Sequence, residues 1–318
     1  MTQTIASARP VAYPSRTGGA VTRLRQQLGI WLYLAPALIF FFGYQVWPII
    51  RVLWLSFTDY QFLTNEPANW VWFHNYVQAV QDPLMWRSLW RAALFTIMFL
   101  PGTIILPLWL AILVDKVTNQ RLATIYRVIL LIPAVIPSTL VFVLWKWMYN
   151  YQSGPINHFL VDTLGVFTLY NAPQWLGGTA LTLPSIAIME VWWGLGYHTI
   201  FFIAGLAAIS RDLPEAARID GASEWQVFWH ITRPRLAPIM MILVVLRFGT
   251  AMAVIDEYLI FGGFNRASPT YTWTIFMYDQ AFKQGLWRQG YAAAIGMIGA
   301  VAMMFVMILL IRIFRPKG

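Results

Sequence analysis

Not one cysteine occurs in the 318 residues, which excludes disulfides and thiolate metal sites. Charge is nearly as scarce. Asp, Glu, Lys and Arg together make up 11% of the chain, against about 25% in an ordinary soluble domain. No Gly-Lys pair is present, so no loop of the Gly-x-x-x-x-Gly-Lys-Ser/Thr kind can cradle a nucleotide phosphate. The four histidines (His74, His158, His198, His230) are scattered and never form a His-Glu-x-x-His zinc pattern. A Gly-x-Ser-x-Gly nucleophile elbow is missing as well. Catalysis therefore has no positive support, and the chain is expected to hold no metal and no cofactor of its own.

What abounds is apolar: 59% of the residues are hydrophobic and the mean hydropathy is +0.59. These values indicate a polytopic, all-α membrane protein. Residues 1–27 read as a tail, largely disordered, and 28–315 as the membrane domain. Six runs approach the roughly 20 residues that cross a bilayer: Leu28–Ile50, Ala92–Val114, Ile125–Tyr149, Leu181–Ala208, Leu236–Leu259 and Tyr291–Ile313. The first is too long for the apolar core of a cleaved signal peptide. Prolines inside these runs (Pro36, Pro48, Pro101, Pro107, Pro133, Pro137, Pro184, Pro238) are expected to kink packed membrane helices.

An even number of spans puts both termini on one side. With that side inside, fourteen of the 22 basic residues are cytoplasmic and seven lie in the longer outer loops, as the positive-inside rule expects. The net charge of +9 could suggest nucleic acid or anionic lipid, but its distribution is that of membrane topology, and no nucleic-acid partner is expected. Outer aromatics (Trp70, Trp72, Phe73, Tyr76, Trp175, Tyr271, Trp273, Tyr278, Phe282, Trp287) read as an interfacial belt, or as contacts to an external partner.

The polar stretch 211–235 interrupts this pattern on the inner side. Asp212 followed by Pro214 and Glu215 predicts an N-cap and capping box that start a helix just after Asp212. Gly221 can end it in the left-handed conformation. Ser223 and Gln226 repeat the capping pattern, and an apolar stripe at Trp225, Phe228 and Trp229 should stop at Pro234. Four basic and four acidic residues balance within the loop, so a lipid-surface helix is not favoured. Two helices this short need a partner surface for their stripes; an ordinary solvated loop is the plainer alternative.

The string Glu215-Ala216-Ala217, three residues, Gly221, nine residues, Ile231 and Pro234 resembles the EAA loop of permease subunits from binding-protein-dependent ATP-binding-cassette importers. Glu-Ala-Ala-Arg-Ile-Asp-Gly-Ala, with Phe228 and Ile231-Thr232, is similar to their sugar-permease branch. So are Ser56-Phe57-Thr58-Asp59-Tyr60, Asn75-Tyr76, Gly154-Pro155-Ile156-Asn157 and Gly262-Gly263 followed by Tyr278-Asp279-Gln280-Ala281-Phe282. Arg233 and Phe264 depart from it, standing where that family usually has Leu and often has Pro. The resemblance implies six membrane helices, a cytoplasmic helix-turn-helix loop that seats in an ATPase subunit, and an inner-membrane location in a bacterium or archaeon. Its partners would be a second homologous permease, two ATP-binding subunits that hold ATP and Mg, an external solute-binding protein and membrane lipid. Coupling would fall to Glu215, Ala216, Ala217, Asp220, Gly221, Ile231 and Pro234.

Ionisable groups inside spans usually face a cavity or a partner. Glu190, Arg247 and the pair Asp256-Glu257 are such groups, with Glu190 and Asp256 expected at similar depth and Arg247 nearer the midplane. Glu190 and Arg247 could form a structural ion pair, or line a translocation path. In maltose-transporter-like permeases a polar residue, x, Trp, x, Gly, x, x, Tyr lines the sugar site, and the resemblance places Glu190, Trp192, Trp193, Gly194 and Tyr197 there. Leu246, Gly249 and Thr250 correspond to contacts on the following span. Trp193 and Tyr197 would stack on sugar rings, Gly194 would make room for one, and Glu190 would accept hydroxyl hydrogen bonds. The expected cargo is a sugar or related polyhydroxylated solute. Glycerol phosphate, another polar solute or an amino-bearing one is an alternative, as are a proton-coupled secondary transporter using Glu190 or Asp256 and an intramembrane enzyme with facing catalytic groups.

Overall fold

The computed structural model describes residues 20–64, 67–283, 285 and 287–314. Most of the expected tail thus lies outside the described residues. The chain divides into two units, residues 1–52 and 53–318. In the first, α1 (Ala20–Phe41) begins eight residues before the expected span and passes through a π turn (Phe42–Val46) into α2 (Trp47–Leu55), which ends in the second unit. The turn has a local cause. Pro48 offers no N–H to the carbonyl of Tyr44, and the wider π winding relieves the clash at that carbonyl.

In the second unit, α3 (His74–Gln81) leads into α4 (Pro83–Asp115), a helix of 33 residues. Asp82 starts α4 by accepting from the Leu84 N–H, with Pro83 in the first turn, a standard opening. At 1.5 Å per residue α4 is about 50 Å long, well beyond a 30 Å hydrocarbon core. Its surplus carries Arg91, which donates to the carbonyls of Arg266 and Tyr271 and ties down the loop there. The third expected span is two helices, α5 (Gln120–Val135) and α6 (Ser138–Met148), bent by 89° between Pro133 and Pro137.

After the short α7 (Pro155–His158) come α8 (Thr182–Ala207), α9 (Asp212–Ile219), α10 (Glu224–Val227) and α11 (Arg233–Met252). The chain then breaks over residues 253–255, and α12 (Asp256–Phe261), α13 (Trp273–Phe282) and α14 (Gln289–Phe314) follow. Among the described residues five helices are long and apolar enough to cross a membrane, six if the bent pair counts as one span. This bears out the all-α, polytopic expectation.

A break in a buried membrane helix exposes carbonyls that need donors. The start of α13 supplies them: Trp273 Nε1 donates to the Met252 carbonyl at 2.8 Å and Thr274 Oγ1 to that of Val254 at 2.6 Å. Tyr271 and Trp273, expected in an aromatic belt, are instead buried: Trp273 braces this break, and the Tyr271 hydroxyl donates to the buried Asp279 carboxylate. Two apolar clusters pack α4, α8 and α11. Ile104, Leu108, Phe202, Leu236 and Leu243 fill the end near the 211–235 loop, and Phe95, Phe99, Met189 and Tyr258 fill the far end.

Candidate functional site

The 211–235 loop is two short helices, α9 and α10, joined by a turn. Its first helix starts differently from the expectation: Asp212 is the opening helical residue, preceded by Arg211 in helical conformation without a capping side chain. Arg211 itself takes helical dihedrals, so no extended capping residue forms ahead of α9, and the Asp212 carboxylate accepts from Ser210 Oγ instead. The end of α9 follows the sequence. Gly221 takes φ +86°, the Ala222 N–H donates to the Ala217 carbonyl, and the Gly221 N–H donates to Arg218; this is the Schellman pattern, which needs a left-handed residue.

Ser223 then caps α10 reciprocally, with the Gln226 N–H donating to Ser223 Oγ and the Ser223 N–H to Gln226 Oε1 at 2.7 Å. Removing that hydroxyl in Ser223→Ala is expected to cost about 1 kcal/mol locally. Hydrogen exchange at residues 224–228 should accelerate correspondingly; unchanged exchange would mean the cap holds nothing.

Pro234 does not stop the second helix. A π turn (Phe228–Thr232) carries it into α11, with Pro234 in that helix's first turn. The widened turn surrounds the His230 carbonyl that Pro234 leaves without a donor, as at Pro48. The loop is therefore continuous with a membrane helix. Glu224 pins it sideways, accepting from Arg218 Nε at 2.6 Å and from Lys116 Nζ at 3.2 Å at the end of α4. These exposed pairs add little stability, but they fix the angle between α9 and α10. The same carboxylate holds the Arg218 proton more tightly than usual. Trp225 and Phe228 stack, Phe228 stacks on Trp109 of α4, and Arg233 lies over the Trp229 ring at 4.9 Å.

Ala217, Asp220, Gly221 and Ile231 line one surface concavity of about 310 Å³ with Ala222, Gln226, Val227 and His230. Glu215, Ala216 and Pro234 are exposed outside it. Ile219, not singled out by the sequence pattern, is 86% exposed beside the concavity.

At the far end of α8 and α11 is a cavity of about 720 Å³. Phe95 and Phe99 of α4, Glu190 and Trp193 of α8, Arg247, Gly249 and Thr250 of α11, Asp256 and Glu257 at the start of α12 and Tyr278 of α13 form its walls. Trp193 is locked in place: its Nε1 donates to the Ile136 carbonyl at the α5–α6 bend, and its ring meets Phe142 edge-on. Gly194 does not line the cavity, yet it shapes it. A Cβ there would come within 2.8 Å of an Arg247 guanidinium nitrogen and of His198, so only glycine lets that guanidinium lie against α8, over Phe99 at 5.5 Å.

Tyr197 and Leu246 do not belong to this cavity. They are 55% and 58% exposed, because they fall on the outward faces of α8 and α11, where Tyr197 packs against Phe201. Among the described residues no ion pair joins Glu190 to Arg247, and that alternative is not realised. Glu190 is 6% exposed and its Oε1 has no hydrogen-bond partner; Arg247 Nε and the Tyr258 hydroxyl are also buried without one. Glu257, named with Asp256 among the ionisable groups expected to face a cavity or a partner, does line it; Phe95 and Phe99 were not singled out by sequence, since an i, i+4 pair of Phe on an apolar helix reads the same whether it faces a core or a cavity.

Residues 103–317 match the model of a family described as the binding-protein-dependent transport system inner membrane component. The chain is 29% identical over 289 residues to the sulfoquinovosyl glycerol transport system permease protein SmoG of Agrobacterium fabrum, covering 90% of each. It is 31% identical over 237 residues to the trehalose/maltose transport system permease protein MalF of Thermococcus litoralis, covering 73% of this chain and 77% of that one. Among solved structures, a bacterial ABC transporter involved in the import of the acidic polysaccharide alginate superposes with a TM-score of 0.79 at 21% identity, over 94% of this chain and 99% of that one; this shows a shared fold.

Proposed function

The chain belongs to the family of binding-protein-dependent transport system inner membrane components, and from that premise we propose that it conducts a sugar or related polyhydroxylated solute through the cavity at Glu190. The single observation that carries this reading is the placement of the 211–235 loop. It joins α8 to α11, and both helices line the cavity: Glu190 lies 17 residues, about 26 Å, from the loop end of α8. A partner that displaces the capped loop moves both walls together, which is how a rigid lever switches access.

The lever's engine is a pair of ATP-binding subunits, which bind ATP and Mg in place of this chain. Their seat is the concavity around Ala217, Asp220, Gly221 and Ile231, rimmed by Glu215 and Ala216, with exposed Ile219, Trp225 and Trp229 as apolar contacts of the kind that mark docking surfaces. Pro234 sets the π turn through which the loop moves α11. A second, homologous permease completes the pore opposite the exposed faces carrying Tyr197 and Leu246, which would meet cargo only in that assembly. A solute-binding protein delivers cargo from outside, and both termini face the cytoplasm. Stacking surfaces beside a hydrogen-bond acceptor, here Trp193, Phe99 and Tyr278 beside Glu190 and Thr250, suit a pyranose.

The test is transport by the complex that co-purifies with this chain, reconstituted in liposomes with its binding protein. Saccharide uptake should require ATP and persist when the proton gradient is collapsed. Uptake that runs without ATP and fails with the gradient would instead make Glu190 or Asp256 a proton carrier.

A further inference from the structure

We infer that the cavity selects cargo bearing a protonated amine, a saccharide containing hexosamine, and rejects anionic saccharides. This rests on reading the cavity as the cargo path. The charge of its walls decides the matter. Three carboxyl groups line it, Glu190, Asp256 and Glu257, against one guanidinium, Arg247. Glu190 and Glu257 act electrostatically on each other and on Arg247. Even with one of the three protonated, the wall keeps an excess of negative charge.

Among the described residues the cation forms no ion pair with these carboxyl groups. Its planar group is held over Phe99 and against the Gly194 backbone. Glu190 and Glu257 are hydrogen-bonded to each other through their side chains, so this buried pair shares one proton; Glu190 Oε1 has no further partner, and the pair still carries charge and acceptor capacity for an incoming donor. A sugar hydroxyl brings one hydrogen and no charge. An ammonium group brings three hydrogens and the charge that opposes the wall, and charge-assisted hydrogen bonds are about twice as strong as neutral ones. The aromatic lining of Phe95, Trp193 and Tyr278 favours that amine on a ring rather than on a bare aliphatic polyamine. Glycerol phosphate is disfavoured on the same grounds, since its charge would face a wall with more carboxyl groups than the single guanidinium of Arg247.

The purified complex, without its solute-binding protein so that only the membrane site is read, would be titrated calorimetrically with four probes: chitosan disaccharide (two protonated glucosamines), maltose, digalacturonate and spermidine. Chitosan disaccharide should bind at least tenfold tighter than maltose, with digalacturonate weaker than either and spermidine weaker than the disaccharide. In Glu190→Gln/Glu257→Gln the ratio of chitosan disaccharide to maltose affinity should fall below threefold. Asp256→Asn, at an exposed position, should lower the same ratio and serves if the double variant does not fold. Digalacturonate binding as tight as chitosan disaccharide, or a ratio untouched by the variants, would overturn the charge selection and leave the saccharide reading standing. Spermidine binding tighter than the disaccharide would overturn the hexosamine assignment. Binding of none of the sugars would overturn both readings.

Discussion

Glu215→Lys should abolish ATP-driven uptake, by roughly 100-fold or more, while the protein still inserts and purifies in normal yield. Glu215 is exposed on α9, and no side-chain hydrogen bond within the described residues depends on it. Reversing a charge at such a surface position changes folding stability by only about 0.5 kcal/mol, with a further 0.3–1 kcal/mol or so from placing a cation in the first turns of a helix. Docking is far more sensitive. A charge reversed at the centre of an interface, where Arg211 and Arg218 already crowd the same face, costs about 3 kcal/mol, or two decades of affinity. ATPase activity of the complex and uptake should therefore separate, with nucleotide hydrolysed slowly and no cargo moved. Normal uptake in the variant, with the ATPase subunits still bound, would show that α9 is not the coupling element.

Gly196→Ala should be the most damaging single methyl in the chain's fold. α5 crosses α8 so closely that a Cβ at Gly196 would sit 2.0 Å from the Leu130 carbonyl oxygen and 2.3 Å from its carbon. Ordinary contact begins near 3.4 Å, so the two backbones would have to part by about 1.4 Å. Neither atom is the free end of a side chain, and overpacking of a tight contact costs about 3 kcal/mol when nothing can rotate away. Small residues at helix crossings carry membrane packing because lipid supplies no hydrophobic push between helices. Gly178→Ala is the control, its new methyl meeting only the Gln174 carbonyl at an ordinary 3.5 Å. Heating in detergent should leave Gly178→Ala like the parent and aggregate Gly196→Ala at a markedly lower temperature. Equal behaviour of the two would mean that α5 and α8 do not cross where the structure puts them.

The long apolar runs and the turn chemistry were legible in the sequence, because both are set locally. Gly221 left-handed and Ser223 with Gln226 reciprocal are one-residue decisions that no tertiary contact overruled. Asp212 failed as a cap because capping also needs an extended backbone at that residue, whereas Asp212 is already the first helical residue, preceded by Arg211 in helical conformation. Pro234 failed as a stop because one π turn absorbs a proline, and nothing in the neighbouring residues distinguishes absorbing from stopping. The cavity was half legible. Glu190, Trp193, Gly249 and Thr250 do line it. Tyr197, seven residues and about 10 Å along α8 from Glu190, lies beyond the cavity lining on an exposed part of the helix, a distance along the axis that the face pattern does not report. The burial of Trp273 could not be read at all, since it depends on a break after α11 that no proline or glycine marks.

The central claim is that the capped loop lies on the cytoplasmic side and touches an ATPase. Because the chain has no cysteine, Ile219→Cys creates a single thiol at the most exposed apolar position of that loop. A membrane-impermeant maleimide should label it in inside-out vesicles and not in right-side-out ones. ATP-binding subunits bound to the complex should protect it, and a short bifunctional maleimide should link it to them. Labelling from the outside, or labelling from the inside that bound ATPase leaves unchanged, would contradict the account.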